Sequence, residues 1–141
     1  MKSRPDPNFL FVYGTLRRDN RHEMYHLLAR HAHFVGEGAL RGRLFMVEDY
    51  PGAVPSDSPA DSVRGEVYRL HDPDLVFKQL DAYEDYDPED PDESLYRRQL
   101  LEVQLEDDKS LPAWVYVYNR STEDLPEIPS GDFMHVADHR H

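Results

Sequence analysis

Three short stretches of the 141-residue chain carry side chains that could do chemistry together. The first is Tyr13-Gly14-Thr15-Leu16, directly after the apolar run Phe9-Leu10-Phe11-Val12. A glycine at the end of a buried strand lets successive backbone N–H groups turn outward into a concave anion site, to which Thr15 would add a hydroxyl. The same residues also suit an ordinary strand-to-loop turn. The second stretch is Leu80-Asp81-Ala82-Tyr83-Glu84, at the expected end of a helix. A carboxyl group there faces the negative end of the helix dipole, which raises its pKa. Walled by Tyr13, Tyr83 or Tyr96, it could exchange protons near neutral pH. Residues 81–93 hold eight Asp or Glu, so any one of them could equally be a solvated member of an acidic loop. Glu84 is singled out because it directly follows an amphipathic helix. The third stretch is Trp114-Val115-Tyr116-Val117-Tyr118, where strand alternation puts Trp114, Tyr116 and Tyr118 on one face. That face could line a ligand pocket or form ordinary barrel core.

Other chemistries lack their residues. The chain has no cysteine, which excludes disulfides, thiolate zinc sites and thiol nucleophiles. Of the eight histidines, His22, His26, His31 and His33 lie close together and His135, His139 and His141 sit near the C-terminus. None falls in an HExxH or comparable ligand set, so no metal is expected. There is no Gly-x-Ser-x-Gly elbow for a serine nucleophile and no nucleotide-binding loop, so no cofactor is expected either. A formal net charge of -12 repels phosphate backbones, and the one basic cluster, Arg17-Arg18 with Arg21, lies among Asp19 and Glu23. Nucleic acid is therefore not an expected partner. No apolar run approaches the roughly 18 residues of a membrane helix, and residues 1–7 lack the apolar segment of a secretion signal. The expectation is a soluble, cytoplasmic protein with no membrane partner.

The elements that must position the three stretches follow from periodicity. Phe9–Tyr13, Val63–Leu70, Tyr96–Leu105 and Ala113–Tyr118 are predicted strands, with Leu101, Val103 and Leu105 on one face of the third. Residues 20–31 space Met24, Leu27, Leu28 and His31 like the inner face of a short helix. Gly36, Gly38 and Gly42 within Phe34–Val47 suit a bent or bulged strand. Residues 51–59, rich in proline and serine, are a predicted surface loop. Asp72 as N-cap and Pro73 at the first helical position start a helix over Asp74–Tyr83, with Leu75, Val76, Gln79, Leu80 and Tyr83 inward. Residues 84–93 are an acidic, proline-rich loop, and residues 106–110 a hairpin turn. Strands and helices do not alternate regularly, so a small α+β domain around a mixed or closed sheet fits better than a doubly wound parallel sheet. One domain spans residues 1–141, with 1–8 and about 121–141 expected to be flexible.

Phe11-Val12-Tyr13-Gly14-Thr15-Leu16-Arg17 resembles the opening signature of the γ-glutamylcyclotransferase-like superfamily, and of its γ-glutamylamine cyclotransferase branch most closely. Further similar motifs follow in order: Val63-Arg64-Gly65-Glu66-Val67-Tyr68, Leu80-Asp81-Ala82-Tyr83-Glu84, Tyr96-Arg97-Arg98, the Trp114–Tyr118 strand with Asn119-Arg120, and Gly131-Asp132-Phe133. The resemblance implies a small mixed β-barrel flanked by short helices. It implies that Tyr13, Gly14, Thr15 and Leu16 hold a glutamyl group and that Glu84 is the catalytic carboxylate, with Tyr116 and Tyr118 as further substrate-binding candidates. The implied reaction is intramolecular: the α-amine of a small γ-glutamyl molecule attacks its own side-chain carbonyl, 5-oxoproline forms and an amine leaves. No cofactor is required. The acidic segment 85–93 is an insertion relative to the family pattern and falls at the expected mouth of the pocket. A binding protein that keeps the pocket without turnover, or a hydrolase of γ-glutamyl conjugates, would use the same residues.

Overall fold

The structure, a computed structural model, describes residues 8–13, 23–47, 50–84 and 86–133. The apolar run after Asn8 is a strand, β1 (Phe9–Val12), buried on both faces because its alternate residues serve two different clusters. Phe11 and Tyr13 belong with Leu40, Val63, Val67, Val103, Ala113, Val115 and Val117, which fill the inside of a barrel. Leu10 and Val12 belong with Leu28, Tyr68, Leu70, Val76, Phe77 and Leu80, between the barrel wall and two helices. A strand covered on both sides reads as continuous hydrophobicity rather than alternation.

Helix α1 (Glu23–His31) leads directly into β2 (Ala32–Leu40), followed by β3 (Gly42–Met46), β4 (Pro51–Pro55), β5 (Val63–Leu70), helix α2 (Pro73–Tyr83), β6 (Tyr96–Leu105) and β7 (Ser110–Tyr118). Five of these strands close a barrel in the order β1-β5-β2-β6-β7, and β3 and β4 form a separate antiparallel ribbon. Every barrel neighbour is antiparallel except the closing pair, β1 and β7, which run parallel with Leu10 opposite Trp114. The architecture is the expected α+β barrel flanked by helices. Leu28 is fully buried under α1 and Leu27 packs beside it; Met24, expected on the same face, lies outside the described side chains. Among the described residues, no helix is long and apolar enough to cross a membrane.

The predicted bent strand is β2, whose pairing with β5 slips between Phe34 and Gly36 and which ends before Arg41. The predicted hairpin at 106–110 closes through Leu105 N–H donating to the Lys109 carbonyl at 2.7 Å. Two expectations are corrected. Residues 51–55 are not surface loop but β4, with Pro51, Gly52 and Ala53 buried. Its prolines stand at its two ends, Pro51 opposite Met46 and Pro55 opposite Gly42 of β3, where a missing N–H breaks no interior ladder bond. The inner face of α2 is Val76, Phe77, Leu80 and Asp81, whereas Gln79 and Tyr83 are exposed. A reading that counts Asp as a surface residue misses this phase, because Asp81 is buried through an ion pair. Among the described residues beyond β7, up to Phe133, there is no further long element. This segment is nonetheless tied down by Ile128 N–H to Leu44 O, Met46 N–H to Pro126 O and Arg64 N–H to Gly131 O, with Ile128 and Phe133 buried.

Gly65 is required by close approach. A Cβ there would meet the carbonyl of Val12 and stand 2.7 Å from the ring of Phe11, whereas nothing lies within 4 Å of a Cβ at Gly36. Gly65→Ala is expected to destabilise the protein by about 1–3 kcal/mol, and Gly36→Ala by no more than about 0.5 kcal/mol, as measured by urea unfolding.

Candidate active site

Four elements converge where β1 ends. Tyr13, one residue past the strand, is buried, and its hydroxyl donates to the carbonyl of Tyr116 on β7 at 2.6 Å and accepts the Ala53 N–H of β4 at 3.1 Å. Tyr96 opens β6 and donates its hydroxyl to the Pro51 carbonyl at 2.8 Å. Its ring stands edge-on to Tyr118 at 5.6 Å between centroids and tilted to Tyr50 at 6.4 Å. The hydroxyl of Tyr116 donates to Asp81 Oδ1 at 2.6 Å. Each phenol is thus aimed by a fixed acceptor.

Glu84 closes α2. Its N–H still donates to Leu80 O at 2.8 Å, and its φ of -89° and ψ of 7° end the helix there. The residue is half-buried. Burial pushes its carboxyl pKa up from 4.5 to about 8. The rise expected from the helix dipole is present, but removal from water is its cause. The reach of the Glu84 charge shows in its neighbours. Burial first, and then Glu84, raises Tyr13. Tyr96 is raised by burial, by Tyr13 and by Glu84. Tyr116 is raised by burial, by its bond to Asp81 and by the charges of Asp81 and Glu84. The charge of Glu84 therefore reaches three phenols, Tyr13 just past β1, Tyr96 on β6 and Tyr116 on β7, and all three stay protonated at neutral pH.

The other acids of 81–93 divide sharply. Asp87, Glu89, Asp90, Asp92 and Glu93 are exposed. Asp81 is buried, so Glu84 is not the single inward acid of the run. Asp81 binds Arg98 in a two-pronged pair, Nε to Oδ1 at 3.0 Å and Nη2 to Oδ2 at 3.1 Å. Sequence reasoning passed over both residues. The signal was present: Arg98 shares a strand face with Tyr96, and a guanidinium on a covered face needs an acid partner. Segment 87–94 is pinned by side chains beyond β7. Asn119 Nδ2 reaches the carbonyls of Pro91 and Ser94, and Arg120 reaches those of Ser94 and Glu93.

The remaining candidates are placed as follows. Trp114, Tyr116 and Tyr118 share a face, but it is the outer one, toward α2; Val115 and Val117 are the barrel core. Trp114 packs edge-on against Phe77 at 6.0 Å. Tyr118 is half-buried against Tyr96, and Tyr83, expected as a wall of the site, is 38% exposed. Gly14, Thr15 and Leu16 lie outside the described residues. Among the described residues, no group of three or more His, Asp or Glu is placed to hold a metal ion.

The sequence is matched over residues 10–135 by a family model described as gamma-glutamyl cyclotransferase, AIG2-like. The chain belongs to that family. It is 34% identical over 128 residues to the gamma-glutamylcyclotransferase family protein YtfP of Escherichia coli, covering 89% of this chain and 95% of that one. It is 31% identical over 126 residues to a putative gamma-glutamylcyclotransferase of Methanocaldococcus jannaschii, covering 89% and 94%. Among solved structures it is similar to YkqA of Bacillus subtilis, with a TM-score of 0.69 and 25% identity; the match spans 95% of this chain and 43% of that one. An AIG2-like protein from mouse matches with a TM-score of 0.65 and 26% identity over 86% of each chain.

The raised pKa fixes how Glu84 affects stability. Between 4.5 and about 8 the unfolded chain ionises this group while the folded one keeps its proton. The stability it contributes is therefore complete below 4.5 and is lost as pH rises through about 8. Glu84→Gln, which stays neutral, is expected to gain in Tm relative to the wild type as pH is raised across that window. Thermal melts of both proteins in parallel buffers check this.

Proposed function

We propose that the protein is a γ-glutamyl cyclotransferase that releases 5-oxoproline from small γ-glutamyl amines or peptides in the cytoplasm, with Glu84 as general acid and base. The supporting observation is the Glu84 carboxyl at the end of α2, pushed up to about 8 by burial, with its charge felt at the buried Tyr13 phenol.

The reaction asks for a folded substrate and a shuttled proton. The α-nitrogen must reach the side-chain carbonyl carbon, and holding the two together supplies at best about 7–11 kcal/mol of the barrier. In this reading the backbone N–H groups of Gly14, Thr15 and Leu16 hold the α-carboxylate, and the buried Tyr13 and the Tyr96–Tyr118 pair shape the wall around the glutamyl chain. Glu84 takes a proton from the attacking amine as the new N–C bond forms. It returns that proton to the departing nitrogen as the old C–N bond breaks, so one carboxyl serves both steps. Proton transfer of this kind contributes about 10²–10⁴-fold. The pKa of Glu84 suits it. An α-amine titrates near about 8, and each unit of mismatch with its base costs about 1.4 kcal/mol. An ordinary carboxylate would be far too weak a base, and one lifted to about 8 is matched.

Incubation with a panel of γ-glutamyl amines and peptides is expected to yield 5-oxoproline and free amine. Glu84→Gln keeps shape and hydrogen bonding but cannot accept a proton. It is expected to lower kcat by about 10²-fold or more with little change in KM. Glu89→Gln, an exposed acid of the same segment, is expected to behave as wild type. Free glutamate in place of 5-oxoproline would show hydrolysis instead, and the absence of both products across the panel would contradict turnover.

A further inference from the structure

Glu84 sits in a turn whose two ends meet at one guanidinium. Before it, the Asp81 side chain takes the forked pair from Arg98. After it, the Tyr86 N–H donates to the Asp81 carbonyl at 2.8 Å, and the Tyr86 ring lies 5.8 Å from the Arg98 guanidinium. That guanidinium is also stacked over Phe77 at 4.2 Å and Trp114 at 5.1 Å, so it is fixed from α2 and from β7. Asp81 Oδ1 accepts in addition from Tyr116, whose own backbone carbonyl accepts the Tyr13 hydroxyl. The contacts form a chain that runs from Glu84 through its turn to Asp81, from Asp81 to Tyr116 and from Tyr116 to Tyr13.

We propose that Asp81 is a positioning residue for Glu84: clamped by Arg98 and Tyr116, it locks the last turn of α2 to β6 and β7 and so fixes where the Glu84 carboxyl stands. Hydrophobic side chains of the same volume would pack α2 as well or better, because a buried ion pair regains little beyond its desolvation cost. What they would not supply is direction. A forked arginine–carboxylate pair fixes both distance and plane, and the phenol bond fixes the carboxylate along a third line. Two acids one helical turn apart thus have opposite tasks. Asp81 is paired and immobile, and Glu84 is left to exchange a proton. Among the described residues, the titratable groups that feel the Glu84 charge are Tyr13 just past β1, Tyr96 on β6 and Tyr116 on β7.

The inference rests on the catalytic reading of Glu84, but its test separates the two. Protein labelled with ¹³C at glutamate carboxyls is titrated by NMR, with the Glu84 signal assigned by its loss in Glu84→Gln. Arg98→Lys and Tyr116→Phe leave the charge unchanged near neutral pH and loosen the clamp. Each is expected to lower the Glu84 midpoint by about one pH unit as water gains access. Each is also expected to lower kcat about tenfold with KM within about twofold. Asp81→Asn is expected to lower the midpoint further, because the unpaired Arg98 charge acts in the same direction. A merely structural role would reduce Tm in all three and leave the Glu84 midpoint in place. If Arg98→Lys and Tyr116→Phe fold with wild-type circular dichroism and Glu84 titrates as in the wild type, the positioning role is overturned. If the midpoint falls but the wild type releases no 5-oxoproline, the clamp stands and the proposed activity fails.

Discussion

A carboxyl group taken out of water favours its neutral form unless something replaces the lost solvation. Among the described residues none supplies such a replacement at Glu84, and much of the local architecture goes with that. The three phenols that feel its charge direct their hydroxyls instead to the Tyr116 carbonyl, the Pro51 carbonyl and Asp81. Their rings are therefore held as walls. The barrel makes this possible because its closing pair is parallel: β1 and β7 deliver Tyr13 and Tyr116 to the same end. The ribbon of β3 and β4 adds Ala53 and Pro51 as backbone anchors for Tyr13 and Tyr96.

The same region contains a second buried acid with the opposite solution. Asp81 is compensated in full by a guanidinium fork and a phenol, and it contributes geometry rather than proton exchange. Had Arg98 reached Glu84 instead, the carboxylate would have been stabilised as an anion and its pKa driven down. Directing this guanidinium to Asp81 keeps its charge from compensating Glu84. The division between the two acids is decided by one helical turn: Asp81 lies on the inner face of α2, over β6 and β7, and Glu84 at its open end.

Much of this was legible in the chain itself. The β5 and β6 boundaries follow from alternation, and the start of α2 from Asp72 and Pro73, whose cap and fixed φ act locally. Glu84 stands out by position, at the end of an amphipathic helix, although the dipole is credited there with what burial does. What escapes notice depends on contacts distant in sequence. β4 reads as a loop because its prolines disfavour strand, and only its pairing with β3 overrides them. The inward turn of Asp81 depends on Arg98, which no local pattern pairs with it. The aromatic strand reads correctly as one face. Whether that face looks into the barrel or toward α2 is set by closure, with Val115 and Val117 taking the inside.

If a desolvated Glu84 is the base, its ionisation limits turnover. The measurement is the pH dependence of kcat/KM for 5-oxoproline release in the wild type, with the substrate amine titrated separately and its contribution divided out, because this ratio then reports ionisation in the free enzyme. A base must be deprotonated to act, so activity is expected to fall as pH drops, with an acid limb centred near the Glu84 value of about 8. An acid limb centred near 4.5, the value of an ordinary solvated glutamate, would contradict the account.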